Sequence, residues 1–179
     1  MKRALFLDRD GVINEDRRYV HRIEDFQFID GIFDLCRAAT RAGMMIIVVT
    51  NQAGIGRGFF TEQQFQALTD WMNARFAEQG VTIDQVYHCP HHPVHGIGHY
   101  KLDCLCRKPN PGMILRARDD HRICLRNSIL IGDKELDIVA AKAAGVGTPV
   151  LVSDNVPYQD IKPALQFTNL RKAFNFLSF

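Results

Sequence analysis

A chain of 179 residues with 46% hydrophobic and 23% charged side chains has the size and balance of one globular domain that buries a core without disulfides, so residues 1–179 are expected to form a single domain. The formal net charge of +2, with basic residues scattered along the chain, argues against a nucleic acid or an anionic membrane as partner. The N-terminal apolar run, residues 4–7, is too short for a secretion signal, and no run approaches the roughly 18 residues of a membrane span; a cytoplasmic monomer is expected.

Taken in chain order, residues 4–7 form a short apolar run ending in a carboxylate, as a buried parallel strand does. Residues 31–42 carry helical spacing (Ile32, Leu35, Cys36, Ala39) and stop at Gly43. Residues 44–49 read as a second buried strand ending at Thr50. Thr61 and Gln64 make a capping box for a helix with Phe65, Leu68, Trp71, Met72 and Phe76 on one face, closed by Gly80. Residues 81–88 read as a third strand. Residues 89–111, rich in Pro, His, Cys and Gly, lack periodicity, and a loop of this length needs a function or a staple. A helix over 112–120, a strand over 128–131, a helix over 138–144 closed by Gly145 and a strand over 150–152 follow. The tail, 163–179, holds a weak strand and a last amphipathic helix.

Strands alternating with helices at this spacing predict an α/β fold, a parallel sheet covered by helices on both faces. Ligands bind such sheets beyond the carboxyl ends of the strands. The residues found there are polar: Asp8 and Asp10, Thr50 and Asn51, and Asp133.

Asp8-Arg9-Asp10-Gly11 sets two carboxylates just past a buried strand, where two acids need a cation to balance them. Magnesium suits the set Asp8, Asp10 and Asp133, since it binds few carboxylates and leaves room for water and phosphate oxygens. Asp8 can then act as a nucleophile toward phosphorus, with Asp10 as proton donor and acceptor. Thr50 offers a hydroxyl, the Asn51-Gln52-Ala53-Gly54 stretch offers backbone N–H groups, and Lys108, braced by Pro109 and Pro111, offers positive charge.

Of five cysteines, Cys36 and Cys124 lie in apolar segments and are expected in the core. The other three stand in a Cys89-x-His91 pair and a Cys104-x-Cys106 pair. Three thiolates and one imidazole make a closed tetrahedral zinc site with a structural role; His88, His92, His95 and His99 stand as alternative imidazoles. Arg107 and Lys108 follow at once, so the metal would anchor residues that face the phosphate.

These motifs, in this order, resemble the haloacid dehalogenase (HAD) superfamily of phosphohydrolases. Its four signatures match Asp8-Arg9-Asp10-Gly11, Val48-Val49-Thr50-Asn51, Lys108, and Gly132-Asp133-Lys134-Glu135-Leu136-Asp137. The resemblance implies a three-layer Rossmann-like fold, Asp8 as nucleophile, Asp10 as acid/base, Thr50 and Lys108 as phosphoryl stabilisers, and Asp133 as magnesium ligand supported by Asp137. The stretches Cys89-Pro90-His91-His92-Pro93, Cys104-Leu105-Cys106-Arg107-Lys108-Pro109 and Thr50-Asn51-Gln52-Ala53-Gly54-Ile55 are similar to one branch, the D-glycero-D-manno-heptose 1,7-bisphosphate 7-phosphatases and the related histidinol-phosphatases. That branch implies zinc on Cys89, His91, Cys104 and Cys106. It implies substrate contacts at Asp16, Arg17, Arg18, Tyr19, Asn51, Gln52, Ala53, Arg107 and Lys134. The implied partner is a small phosphorylated sugar, in the supply of nucleotide-activated heptose for surface polysaccharide. Histidinol phosphate is the alternative substrate; a polynucleotide 3′-phosphatase would need a basic groove, and this chain shows no such charge excess. A non-catalytic zinc-stapled binding module is a further alternative, disfavoured by retention of both Asp8 and Asp10. With Asp10 and Thr50 separated by 40 positions, no large cap domain fits.

Overall fold

The computed structural model of the protein describes residues 1–154 and 162–177. Six parallel strands form one sheet: β1 (Arg3–Leu7), β2 (Met44–Asn51), β3 (Gln85–Cys89), β4 (Ile129–Gly132), β5 (Thr148–Val152) and β6 (Leu165–Phe167). Their order is β3-β2-β1-β4-β5-β6. The helices are α1 (Ile32–Arg41), α2 (Ala53–Gly56), α3 (Glu62–Glu78), α4 (Gly112–His121), α5 (Glu135–Ala144) and α6 (Leu170–Phe176).

The two-residue period of β1 divides the core. Leu5 and Leu7 join Ile46 and Val48 of β2 on one face, covered by α1, α3 and α6. Ala4 and Phe6 join Ile47 and Val49 on the other, covered by α4 and α5. Both faces are apolar, which is why these strands read as continuous hydrophobic runs rather than alternating ones. The three-layer α/β arrangement expected from the sequence is therefore present.

Strand order places the site. The chain winds outward from β1 through β2 to β3, then crosses back to place β4 on the other side of β1. The crevice at that reversal is where ligands bind in open parallel sheets. Register aligns the ends: Leu7 pairs with Val48 and with Ile131, and the Asp8 N–H donates to the Ile131 carbonyl at 3.0 Å. Between Asp10 and β2 the chain forms a short turn over Ile23–Asp25 and α1, so residues 11–43 contain no cap domain.

Several boundaries differ from expectation. β3 starts at Gln85, not Val81. Val81 instead closes α3: its N–H reaches the Phe76 carbonyl at 3.0 Å, just past Gly80 at φ +73°. The Asp84 carboxylate then accepts the Ile46 N–H at 2.8 Å. The Thr61–Gln64 capping box is present. β2 runs on through Thr50 and Asn51, and α5 begins at Glu135 because Asp137 accepts the Lys134 N–H at 3.1 Å. Two of the four residues in the short turn α2 are glycines. They are required there: a Cβ on Gly54 would lie 2.2 Å from the Phe60 ring, and one on Gly56 2.3 Å from the Pro90 carbonyl. Cys36 is buried as expected, whereas Cys124 is half-buried. Among the described residues no helix is long and apolar enough to cross a membrane.

Candidate active site

Asp8 and Lys108 form the centre. The Lys108 ammonium is buried and faces three acceptors: Asp8 Oδ1 at 3.0 Å, Asp137 Oδ1 at 2.5 Å and the Val49 carbonyl at 2.8 Å. The carbonyl accepts a hydrogen bond, and the two carboxylates pair with the charge. Burial alone would depress its pKa, but the Asp137 and Asp8 carboxylates outweigh that and hold it above the ordinary value. Asn51 locks the lysine backbone with a reciprocal pair, donating to the Lys108 carbonyl and accepting its N–H, both at 3.0 Å. The end of β2 thus fixes a residue that lies 57 positions away.

The carboxylates are crowded. Ligand oxygens of Asp8, Asp133 and Asp137 lie within 4.8 Å of one another. Burial lifts the Asp8 pKa from 3.8 to about 7, reinforced by Asp137, Asp133 and Asp10 against the pull of Lys108. Burial likewise lifts Asp133 to about 6, with Asp137 adding to it and Lys134 opposing. Asp133 Oδ1 is buried without a hydrogen-bond partner among the described residues. A hard divalent cation satisfies such a set, so the donors fit magnesium. Gly11, at φ +94°, lets the loop pass: a Cβ there would sit 2.2 Å from Asp133 Oδ2.

The Asp10 carboxylate stands outside this cluster. Oδ1 accepts from Arg9 and from Asn14 Nδ2 at 3.0 Å, and Oδ2 accepts from Gln52 Nε2 at 2.9 Å. Asp137 is the third member of the cluster, beside Asp8 and Asp133. Arg9, fully buried and bonded also to the Val20 carbonyl at 2.7 Å, is the partner that sequence reasoning missed. A charged residue inside an acidic motif gives no periodic signal of burial.

These groups open into a cavity of about 590 Å³. Of the residues implied for the substrate, Asp16, Arg18, Tyr19, Asn51, Gln52, Ala53, Arg107 and Lys134 line it together with Asp8, Asp10, Thr50 and Lys108. Arg17 does not: it turns away to Glu15 at 2.8 Å and Gln27 at 2.6 Å. Lys134 bridges Asp16 at 2.9 Å and Asp133 at 3.4 Å. Arg57 and His92 also line the cavity, although nothing in their local sequence marks them as substrate contacts. Arg57 is aimed there by Tyr19, whose hydroxyl it bonds and whose ring lies 5.5 Å away.

The second cluster is Cys89, His91, Cys104 and Cys106, with all four ligand atoms within 4.8 Å of one another. The Sγ–Sγ distances are 3.1 to 3.4 Å, and His91 Nδ1 lies 3.6 Å from Cys89 Sγ and 3.5 Å from Cys106 Sγ. A tetrahedron on zinc–sulfur bonds of about 2.3 Å has edges of about 3.8 Å, so the pocket fits zinc after a small expansion. Two of the alternative imidazoles are otherwise engaged: His88 meets Glu62 at 2.8 Å, and His92 Nδ1 accepts the N–H groups of Val94 and His95. The staple reaches the cavity through Arg107, which donates to the His91 carbonyl at 3.2 Å.

The chain is similar to known proteins along most of its length. The chain is 54% identical over 164 residues to the D-glycero-beta-D-manno-heptose-1,7-bisphosphate 7-phosphatase of Vibrio cholerae, covering 92% of this chain and 88% of that protein. The chain belongs to the heptose-1,7-bisphosphate 7-phosphatase family. Another member, the D-glycero-alpha-D-manno-heptose-1,7-bisphosphate 7-phosphatase of Burkholderia mallei, is 59% identical over 152 residues, covering 85% of this chain and 80% of that protein. The family lies within the HAD-type hydrolases, and the HAD-hydrolase-like family pattern matches residues 105–172. A solved structure of D,D-heptose 1,7-bisphosphate phosphatase from B. bronchiseptica, complexed with magnesium and phosphate, superposes with a TM-score of 0.81. It is 28% identical and covers 98% of this chain and 97% of its own.

Proposed function

We propose that the protein removes the 7-phosphate of a D-glycero-D-manno-heptose 1,7-bisphosphate. An oxygen of Asp8 attacks phosphorus, the bond from phosphorus to O7 breaks, and Asp10 gives the departing O7 a proton. The phosphoryl group then rests on Asp8 as an aspartyl-phosphate. Asp10 takes a proton from water, which attacks phosphorus and frees phosphate and Asp8. Thr50 and Lys108 hold the phosphoryl oxygens throughout. Magnesium, held by Asp8, Asp10 and Asp133, would supply charge neutralisation and so let an anionic carboxylate approach an anionic phosphate. Zinc on Cys89, His91, Cys104 and Cys106 supplies order to the loop that carries Arg107 and Lys108.

The observation that carries the substrate reading is the second set of cations in the same cavity. Arg18, Arg57 and Arg107 share it with Asp8, which suits a substrate with another anionic group beyond the reacting one. The test is phosphate release from both anomers of the heptose bisphosphate, with histidinol phosphate and a 3′-phosphorylated oligonucleotide as rivals. One phosphate per heptose bisphosphate, lost from C7, is expected. Faster turnover of histidinol phosphate or the oligonucleotide would overturn the reading.

Magnesium should also protect the fold in a pH-dependent way. Without metal, Asp8 and Asp133 hold protons to about pH 7 and 6 in the folded state, while the unfolded chain releases them near 4. The folded state binds more protons across that window, so these two groups make stability fall as pH rises from about 4 to 7. Saturating magnesium removes that loss by favouring the charged forms. The gain in Tm should be small at pH 5 and about 5–10 °C at pH 8. Thermal unfolding with and without magnesium at the two pH values checks this; an equal gain at both would contradict it.

A further inference from the structure

The sequence points to Gln52 as a substrate contact, yet its side chain is buried and committed within the protein. It is 3% exposed, and its Nε2 donates to Asp10 Oδ2 and to Thr50 Oγ1, each at 2.9 Å. Chemistry fixes the orientation of the amide, because the reverse would set its oxygen against a carboxylate oxygen. Its backbone is anchored too, the N–H donating to the Cys89 carbonyl at 2.8 Å.

We propose that Gln52 is a positioning residue that sets both the Asp10 carboxyl and the direction of the Thr50 hydroxyl, and does not itself bind substrate. The inference rests on the phosphatase reading above. Thr50 Oγ1 is occupied as an acceptor by the amide, and a hydroxyl has one hydrogen to give. Among the described residues that hydrogen has no protein acceptor, although Thr50 is buried at the floor of the cavity. It is left for an oxygen of the bound phosphoryl group, so Thr50 is preset as a donor before substrate arrives. Through the second N–H, the same amide holds Asp10 opposite Arg9 and Asn14. One side chain therefore sets the spacing between the proton-transfer group and the phosphoryl-binding hydroxyl.

Gln52→Leu and the near-isosteric Gln52→Glu test this, with kinetics on heptose bisphosphate and on p-nitrophenyl phosphate. Gln52→Leu should lower kcat about 100-fold on both while KM stays within about threefold. Gln52→Glu should be as slow at pH 8, where a carboxylate has no hydrogen to donate. It should recover toward the native rate at pH 5, because burial against the Asp10 carboxylate lifts the acid's pKa above its ordinary value and the protonated form regains one donor. Such a pH-dependent ratio is not produced by a packing defect, and it decides the matter if Gln52→Leu fails to fold. A raised KM with unchanged kcat, or a ratio to native that is flat with pH, would overturn the proposal. Native protein that cleaves the aryl phosphate and not the heptose bisphosphate would remove the substrate assignment and leave the Gln52 test intact. Inertness toward both would remove both.

Discussion

Asp8→Asn is expected to lower phosphate release by at least about 10⁴-fold, since an amide cannot form the acyl-phosphate and the remaining groups act only in concert with the nucleophile. The fold should survive. The amide has nearly the carboxylate's shape, and Lys108 keeps Asp137 at 2.5 Å and the Val49 carbonyl at 2.8 Å. Removing one of three crowded acids also relieves repulsion, so in metal-free buffer above pH 7 the variant should melt no lower than the native protein. Phosphate-release assays beside thermal unfolding separate the two effects. More than about 1% residual turnover would refute the assignment of Asp8, and a large fall in Tm would make it a structural residue instead.

Breaking the thiolate cluster should be the second large effect, and it should strike stability first. Cys104→Ser leaves three ligands on a loop that carries little core of its own. Leu105 is 80% exposed, and Val94 and Ile97 are more than 60% exposed. Loss of at least about 3 kcal/mol is expected from the scale of structural zinc binding, lowering Tm by about 10 °C in a protein of this size. Activity should fall about 100-fold, because Arg107 is tied to the His91 carbonyl and Asn110 to the Cys104 carbonyl, the latter at 2.8 Å. Chelation of zinc from the native protein should act over minutes to hours, whereas withdrawal of magnesium should act at once. Simultaneous, immediate loss from both treatments would place zinc in the chemistry itself.

Much of this site was legible in the residues because its parts are short and lie at strand ends. Asp8, Thr50 and Asp133 follow buried apolar runs, and the parallel sheet brings such ends together whatever the lengths of the connections. The two Cys-containing pairs were legible as well, since soft ligands set two residues apart, twice in one loop, suit a metal better than any packing role. Contacts whose meaning depends on a partner far along the chain were harder to see. Asp137 was expected beside the metal ligand, but its grip on Lys108 needs α5 and residue 108 to meet. Arg17 and Arg18 are chemically alike neighbours. Which of them faces the cavity is decided by backbone at φ +59° and +55° in Arg18 and Tyr19, a conformation that no local pattern there encodes. Val81 looked like a strand residue because the apolar contact closing a helix has the same composition as a strand's first position.

Lys108 has a standing partner in Asp137 as well as a changing one in Asp8. Once Asp8 carries a phosphoryl group in the proposed cycle it is no longer a free anion, yet the ammonium loses neither its charge nor its seat. Asp137 and a main-chain oxygen continue to hold it. The electric field around the phosphorus is therefore much the same whether a carboxylate or a water molecule is attacking, and neither half of the turnover has to wait for the lysine to find a new place.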